Sequence, residues 1–208
     1  MRKVKENKET VNIAFLGLGG QGIITLAKMI AESALDTGKE VCYNEIHGLS
    51  QRGGSVQSFL RLNEDSSPLF ASSDVDLVIG LEKMETLRYL YEIKEHKPKV
   101  ILLDYFEIRN TNYFGLEVFP EEEEIEKEIR ERAEELYIFD RDNFKKQFKG
   151  NFIPYNVGIF SALTTFEELG ISEETGEKIV KKLLGKNILL SQVNKKAFKE
   201  GKKWIKKI

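Results

Sequence analysis

The feature that most constrains the fold is an apolar run that leads directly into glycines and then into a helical pattern, "VNIAFLGLGGQGIITLAKMIAESALDTG" (residues 11–38). A short apolar run that stops at glycine is typical of a buried β-strand entering a tight turn. From Ile24 to Leu35 the apolar residues recur at three- and four-residue spacing, which predicts an amphipathic helix ending at Gly38 in a left-handed cap. A strand, a glycine turn and a helix in this order predict an α/β fold.

The rest of the chain continues the alternation of strand and helix patterns. Further strands are predicted at "EVCYNEI", "SVQSFLRL", "VDLVIGL", "KVILLDYF" and "LYIFD", and helices at "KMETLRYLYEI" and "FPEEEEIEKEIRERAEEL". This order predicts a Rossmann-like fold, with a mostly parallel sheet, helices on both faces and a helical C-terminal third. Residues 1–10 are polar and lysine-rich and are predicted to be a flexible leader, and 11–208 fit one domain.

Composition excludes several classes of function. The 32 basic and 34 acidic residues nearly cancel, so the chain lacks the overall basic charge that nucleic acid or an anionic membrane selects. Cys42 is the only cysteine, which rules out an intramolecular disulfide and a four-thiolate metal or iron–sulfur site built from this chain alone. No apolar run approaches the roughly 18 residues of a membrane helix, and the N-terminus lacks signal-peptide form. We therefore expect a cytoplasmic protein without a bound metal.

The first glycine loop follows the dinucleotide-binding pattern G-x-G-x-x-G. The pattern residues are Gly17, Gly19 and Gly22, with Gly20 and Gln21 between them. In such loops the first glycine allows the turn, the second lets the backbone approach a phosphate, and the third lets helix and strand pack closely. N–H groups at the start of the helix favour an anion. Glu45 lies roughly where an acidic partner for a ribose hydroxyl is expected, and a compact turn without a ligand explains the glycines equally well.

A second glycine-bearing stretch, "HGLSQRGGSV", offers several polar side chains from a segment that can bend sharply. Its residues of interest are His47, Ser50, Gln51, Arg52, Gly53 and Gly54. The planar fork of Arg52 suits a phosphate or a carboxylate, or else a salt bridge or subunit contact. His47 is a candidate acid–base group, although a scaffold role is more common for a lone histidine. Ser50 lacks a nucleophile-elbow context.

Together the two stretches, "GLGGQGIITLAK" and "EIHGLSQRGGSVQSFLR", resemble the γ-type domain of the 2-oxoacid:ferredoxin oxidoreductases. The pattern E-x-HG-x-x-QRGG-x-V resembles in particular the small-subunit type of the indolepyruvate branch. The weaker motifs "NVGIFSALTTFEELG" and "NKKAFKEG" extend the resemblance over roughly residues 12–201. The pyruvate and 2-oxoglutarate branches are the nearest alternatives.

The resemblance implies a coenzyme A-dependent oxidative decarboxylation of arylpyruvates, with electrons passed to ferredoxin. Thiamine diphosphate and iron–sulfur clusters carry that chemistry, and this chain has neither cluster cysteines nor a "GDG" motif. The resemblance therefore implies a large partner subunit that holds both cofactors. Residues 17, 19–22 and 51–54 are then expected to line a coenzyme A path or a subunit interface. Two rivals stay open: a free-standing NAD- or nucleotide-binding oxidoreductase, and a non-catalytic assembly module.

Overall fold

The computed structural model describes residues 10–47, 54–64, 67–94, 96–107, 120–149 and 153–208. Within them, seven strands form one sheet in the order β2-β3-β1-β4-β5-β6-β7. The strands are β1 Val11–Leu18, β2 Val41–His47, β3 Ser55–Leu62, β4 Leu77–Gly80, β5 Lys99–Leu103, β6 Glu135–Phe139 and β7 Ile205–Lys207. The helices are α1 Ile23–Asp36, α2 Lys83–Leu90, α3 Glu122–Arg132, α4 Arg141–Lys146, α5 Tyr155–Leu163, α6 Glu173–Leu184 and α7 Ile188–Gly201.

The sheet is mixed, and most of its described strands run in one direction. The β1–β4, β4–β5 and β5–β6 pairs are parallel, whereas β3 is antiparallel to both β1 and β2, and β7 is antiparallel to β6. Five of the seven strands in the described part therefore point the same way, with β3 and β7 reversed. The predicted Rossmann-like fold with a mostly parallel sheet and a helical C-terminal third is confirmed.

Side chains of successive residues along β1 point to opposite faces of the sheet, and both faces are covered. Ile13 and Phe15 pack with the cluster formed by α1, α5, α6 and α7, and Ala14 and Leu16 pack with the cluster of α2 and α3. Burial on both faces explains why the strand is a nearly continuous apolar run. In β3 buried and half-buried residues alternate.

The chain leaves β1 and β4 toward opposite faces of the sheet. Helix α1, which follows β1, lies on one face, and α2, which follows β4, lies on the other. Because β1 and β4 are neighbours, this is the topological switch point, where ligands of open α/β sheets bind at the carboxyl ends of the strands. No helix among the described residues is both long enough and apolar enough to cross a membrane.

Candidate functional site at the carboxyl edge of the sheet

The two glycine stretches meet at the carboxyl end of β1. The N–H of Gly19 donates to the carbonyl of Gly54 at 2.8 Å, and Leu18 pairs with Ser55 in the β1–β3 ladder. His47 pairs through its backbone with Val56, so the end of β2 reaches the same edge. The structure therefore brings together the segments that the sequence analysis singled out.

Gln21 closes the first loop upon itself. Its side-chain carbonyl accepts the N–H of Leu18 at 2.7 Å, and its own N–H donates to the carbonyl of Leu18 at 3.1 Å. The side-chain oxygen of Gln21 is thus engaged in holding the turn, which gives this residue a structural role in addition to the binding role predicted for it.

Two of the pattern glycines, Gly17 and Gly22, have steric surroundings that differ from those the pattern assigns to them. Gly17 lies inside β1 and not in the turn; a Cβ there would come within 2.5 Å of Gln21 Oε1 and 2.8 Å of Ile23 Cδ1. The left-handed backbone occurs instead at Gly20 (φ 98°) and Gly22 (φ 82°). At Gly22 the close neighbour is not the strand but Asn156 of α5, whose Nδ2 lies 2.8 Å from an ideal Cβ.

Two helices therefore begin next to each other at this edge. Helix α1 has Gly22 at its N-cap and no acidic residue in its first turn, and α5 also begins without one. The side-chain oxygen of Asn156 accepts the N–H of Val157 at 2.9 Å. The N–H groups that a helix N-terminus leaves unpaired carry a partial positive charge. Two helix N-termini side by side therefore form a favourable place for an anion.

Arg141 is a candidate that the sequence analysis missed. It is the first residue of α4, two positions after the end of β6 at the same edge of the sheet, and its guanidinium lies over the rings of Tyr105 (4.5 Å to the centroid) and Tyr155 (5.6 Å). Its side chain is 31% exposed, with Asp142 at 3.9 Å. Burial raises the pKa of the Tyr155 hydroxyl, and the positive charge of Arg141 opposes that shift. The signal in the sequence was the arginine that follows the predicted strand "LYIFD".

Tyr105, the second tyrosine beside Arg141, is protonated over the physiological pH range. Burial and a hydrogen bond to the Glu107 carboxylate raise the pKa of Tyr105 to about 12. Its hydroxyl donates to Glu107 Oε2 at 2.6 Å. Tyr105 therefore acts here as a hydrogen-bond donor and as a surface for the guanidinium.

An ionic cluster lies beyond the ends of β4 and β5. The Lys83 ammonium is almost fully buried, with Asp104 at 2.6 Å, Glu122 at 2.7 Å and Glu126 at 3.2 Å. Burial alone would lower the pKa of Lys83, but its hydrogen bonds to Asp104 and Glu122 outweigh it and raise the pKa. The cluster joins α2 to α3 and to the end of β5, so it holds these three elements in place beside the carboxyl edge of the sheet.

Glu82, a buried carboxyl, lies next to Lys83 at the start of α2. It caps α2 by accepting the N–H of Glu85 at 2.8 Å, and it accepts the N–H of Glu107 at 3.2 Å. Burial raises the pKa of Glu82, and these backbone hydrogen bonds partly oppose the shift. Glu82 thus ties the start of α2 to the segment after β5.

The remaining predicted residues divide into two groups. Four of them lie outside the described residues: Ser50, Gln51, Arg52 and Gly53. The roles predicted for these four residues stay predictions. Glu45 accepts the hydroxyl of Tyr43 at 2.5 Å and lies on β2, which β3 separates from β1. In a dinucleotide-binding fold the acidic residue follows the strand next to the glycine loop, so the topology disfavours a ribose contact for Glu45.

The donor set of the described residues does not fit a resident metal or cluster. Among these residues no three histidine, cysteine, aspartate or glutamate side chains are grouped as a metal site would require. The whole sequence supplies a single thiol, Cys42, so a cluster held by several thiolates cannot form in this chain alone.

Comparison with known sequences gives matches over nearly the whole chain. The pyruvate ferredoxin/flavodoxin oxidoreductase family model matches residues 12–204. The chain is 30% identical over 200 residues to the indolepyruvate oxidoreductase subunit IorB of Pyrococcus horikoshii, covering 95% of this chain and 96% of that protein. IorB of Thermococcus kodakarensis is also 30% identical over 200 residues, with the same coverage of both chains.

Solved structures share the fold. The pyruvate oxidoreductase subunit PORC from Thermotoga maritima is 21% identical, with a TM-score of 0.67 over 96% of this chain and 99% of that one. The 2-oxoglutarate:ferredoxin oxidoreductase of Magnetococcus marinus, with 2-oxoglutarate, coenzyme A and succinyl-CoA bound, is 21% identical. It matches 95% of this chain but 31% of its own, with a TM-score of 0.63.

Proposed function

Because the chain belongs to the pyruvate ferredoxin/flavodoxin oxidoreductase family and is a subunit of a 2-oxoacid:ferredoxin oxidoreductase complex, we propose that it is the small subunit of an indolepyruvate (arylpyruvate):ferredoxin oxidoreductase. The observation that carries the choice of branch is the match to IorB proteins over 95% of this chain and 96% of theirs. The match to the common gamma subunit of pyruvate/ketoisovalerate oxidoreductases in Pyrococcus abyssi spans 41% of this chain.

The proposed reaction converts an arylpyruvate and coenzyme A to an aryl-acyl-coenzyme A and carbon dioxide. The bond between the carboxylate and the 2-oxo carbon breaks, the thiol of coenzyme A releases its proton as the thioester bond forms, and the two electrons released pass one at a time to ferredoxin. Thiamine diphosphate and iron–sulfur clusters supply that chemistry when bound. Cys42 alone cannot ligate a cluster, so we assign both cofactors to a large partner subunit.

The part proposed for this chain is to hold an anionic group of coenzyme A at the carboxyl edge of the sheet. Three features support this: the N-termini of α1 and α5 lie together, neither has an acidic first turn, and Arg141 stands beside Tyr155. Helix N–H groups bind phosphate without a side-chain charge, and a guanidinium adds a bidentate contact. Gly19, Gly20 and Gly22 keep side chains away from these N–H groups, and Arg52 is proposed as a second guanidinium.

Three further expectations belong to this proposal. We propose that the complex is cytoplasmic and that this chain binds neither nucleic acid nor a membrane. Residues 11–208 are proposed to form the single γ-type domain, with 1–10 as a leader. His47 stays a candidate acid–base group, and its backbone pairs with Val56 at the end of β2.

Co-expression with the large subunit tests the proposal. The purified complex is expected to reduce ferredoxin only when both arylpyruvate and coenzyme A are present, and the isolated chain is expected to contain neither iron nor thiamine diphosphate. Stoichiometric iron in the pure chain, or its retention of NAD, would contradict the assignment. A large subunit that is fully active without this chain would instead support the assembly-module alternative.

Arginine variants then test the anion site. Arg141→Lys and Arg52→Lys keep the charge but lose the planar fork, and each is expected to raise the KM for coenzyme A while leaving the KM for arylpyruvate unchanged. The Ala variants should do so more strongly, since a charge-assisted hydrogen bond contributes roughly 1.5–3 kcal/mol. If the Ala variants weaken co-purification before any KM changes, the arginines hold the subunit interface and not coenzyme A.

A further inference from the structure

Glu82 stands at the N-cap of α2, where a shorter side chain would suffice. The residues that favour this position are serine, aspartate, asparagine and threonine, whose side chains reach a nearby N–H group directly. Glu82 is longer than aspartate by a methylene group, and it is only 1% exposed. Burying a carboxyl group is unfavourable unless hydrogen bonds compensate for the lost water. The helix cap alone therefore does not explain why a buried glutamate occupies this position.

The two carboxylate oxygens of Glu82 bind different parts of the chain. Oε2 accepts the N–H of Glu85 and caps the helix, while Oε1 accepts the N–H of Glu107 at 3.2 Å. The N–H of the next residue, Lys83, donates to the carbonyl of Tyr105 at 2.9 Å. The start of α2 therefore holds the segment after β5 at two places, one at Tyr105 and one at Glu107.

Glu107 in turn constrains the ring of Tyr105. Its Oε2 accepts the Tyr105 hydroxyl at 2.6 Å, so this residue is held at its backbone by Lys83 and at its hydroxyl by Glu107. The guanidinium of Arg141 lies 4.5 Å from the centroid of this ring and 5.6 Å from that of Tyr155. Because a cation is attracted to the face of an aromatic ring, the place of the nearer ring determines where the guanidinium lies.

The charges at both ends of this series of contacts act on Tyr105. Burial and the hydrogen bond to Glu107 raise its pKa to about 12; the charge of Arg141 opposes that shift, and the charge of Glu82 adds to it. Glu82 and Arg141 are therefore both close enough to Tyr105 for their fields to reach its hydroxyl.

From these contacts we propose that Glu82 is a positioning residue of the anion site, which sets the place of the Arg141 guanidinium without contacting the anion itself. The constraint runs from Glu82 through Glu107 to Tyr105, and from that ring to the guanidinium. The inference rests on the proposed function insofar as Arg141 is taken to bind an anionic group of coenzyme A.

NMR of the full chain measures the place of the guanidinium. The ring current shifts the signal of a proton held over an aromatic ring upfield, so the side-chain signals of Arg141 report its position over Tyr105. Glu82→Asp keeps a favoured N-cap residue but is too short to hold Glu107 as well. This variant is expected to move the Arg141 signals toward the values of a solvent-exposed arginine. Arg141→Lys identifies the signals, because they disappear in that variant.

Glu85→Asp is the matched control. Glu85 is a second buried carboxyl in the first turn of α2, 5% exposed, and it pairs with Arg88 at 3.1 Å. The same shortening at this position is expected to leave the Arg141 signals at their wild-type values. Equal movement of the signals in Glu82→Asp and Glu85→Asp would overturn the inference, because the cause would then be a general loosening of the helix.

Kinetics of the complex test the consequence for the site. Glu82→Asp is expected to raise the KM for coenzyme A about threefold to tenfold, less than Arg141→Ala does, and to leave kcat and the KM for arylpyruvate unchanged. Because Glu82 acts through Arg141, the double variant should have the same KM for coenzyme A as Arg141→Ala alone. A further rise of this KM in the double variant would overturn the inference.

Glu107→Ala keeps the inference testable if Glu82→Asp does not fold. Glu107 is exposed, so the fold tolerates its loss, but the Tyr105 hydroxyl loses its acceptor. The Arg141 signals are then expected to move in the same direction as in Glu82→Asp. Wild-type Arg141 signals in Glu82→Asp, or in Glu107→Ala where it replaces that variant, would overturn the inference.

Failure of the proposed function gives a different pattern. The Arg141 signals would move in Glu82→Asp, while Arg141→Ala would keep the wild-type KM for coenzyme A. That result contradicts the anion site and leaves the positioning of Arg141 by Glu82 standing.

Discussion

The contact between Gly22 and Asn156 allows a quantitative test of how the first glycine loop is built. Gly20 and Gly22 both have positive φ, 98° and 82°. A Cβ at Gly20 meets nothing within 4 Å, whereas a Cβ at Gly22 lies 2.8 Å from Asn156 Nδ2. Substitution by alanine therefore imposes a left-handed backbone on a side chain at both positions, and a clash at Gly22 alone.

The magnitudes follow from these two terms. Left-handed backbone costs alanine about 1–2 kcal/mol, and the reduced entropy of the unfolded chain returns about 0.4–1 kcal/mol. Gly20→Ala is thus expected to lower the free energy of unfolding by about 1 kcal/mol. Gly22→Ala adds the displacement of Asn156 from its hydrogen bond with Val157, for which overpacking adds about 1–3 kcal/mol.

Denaturant unfolding of the single and double variants measures these terms. Asn156→Ala removes the obstacle, so Gly22→Ala should be less damaging in that background, with a coupling of about 1 kcal/mol or more. Gly20→Ala should show no coupling to Asn156→Ala. Equal losses for Gly20→Ala and Gly22→Ala, together with additivity in the double variant, would refute the close approach of α5 to the loop.

Three further predictions concern the frame of the site. Gly17→Ala should destabilise the fold by about 1–3 kcal/mol in denaturant unfolding, since its Cβ would lie 2.5 Å from Gln21 Oε1; an unchanged midpoint would contradict this packing. Burial raises the pKa of Glu82 in the fold, so the folded state holds its proton to higher pH than the unfolded state does. Stability should therefore fall as pH rises from the ordinary glutamate pKa through the raised one, and Glu82→Gln should remove that slope; an identical slope would assign it elsewhere. Gly201→Ala should be more damaging than Gly38→Ala in thermal unfolding, because its Cβ would lie 2.1 Å from the Gly158 carbonyl oxygen of α5 while Gly38 has open space; equal melting temperatures would contradict the close crossing of α5 and α7.

Local patterns in the sequence predicted much of the fold. The apolar run of β1, the spacing along α1 and the left-handed Gly38 after it are all properties of neighbouring residues, and the structure confirms them. The antiparallel position of β3 between β1 and β2 is a matter of long-range pairing, and the strand pattern "SVQSFLRL" carries no information about it.

The candidate site was less predictable, because it also depends on contacts between residues that are far apart in the sequence. The meeting of Gly19 with Gly54 is consistent with the two glycine stretches that the sequence analysis linked. The role of Gly22 could not be predicted, because its neighbour Asn156 lies far along the chain and is brought in by the packing of α5 on α1. Arg141 gains its place beside Tyr105 and Tyr155 only when the ends of β5 and β6 and the start of α5 come together.

Hydrogen exchange on the intact complex tests the central claim most directly, namely that the carboxyl edge of the sheet receives an anionic group of coenzyme A. Amides of residues 22–25 and 156 are expected to exchange more slowly when coenzyme A is added, because the first N–H groups of α1 and α5 then become hydrogen-bonded. A complex that binds coenzyme A and turns over, yet shows no added protection at 22–25 or 156, would contradict the account.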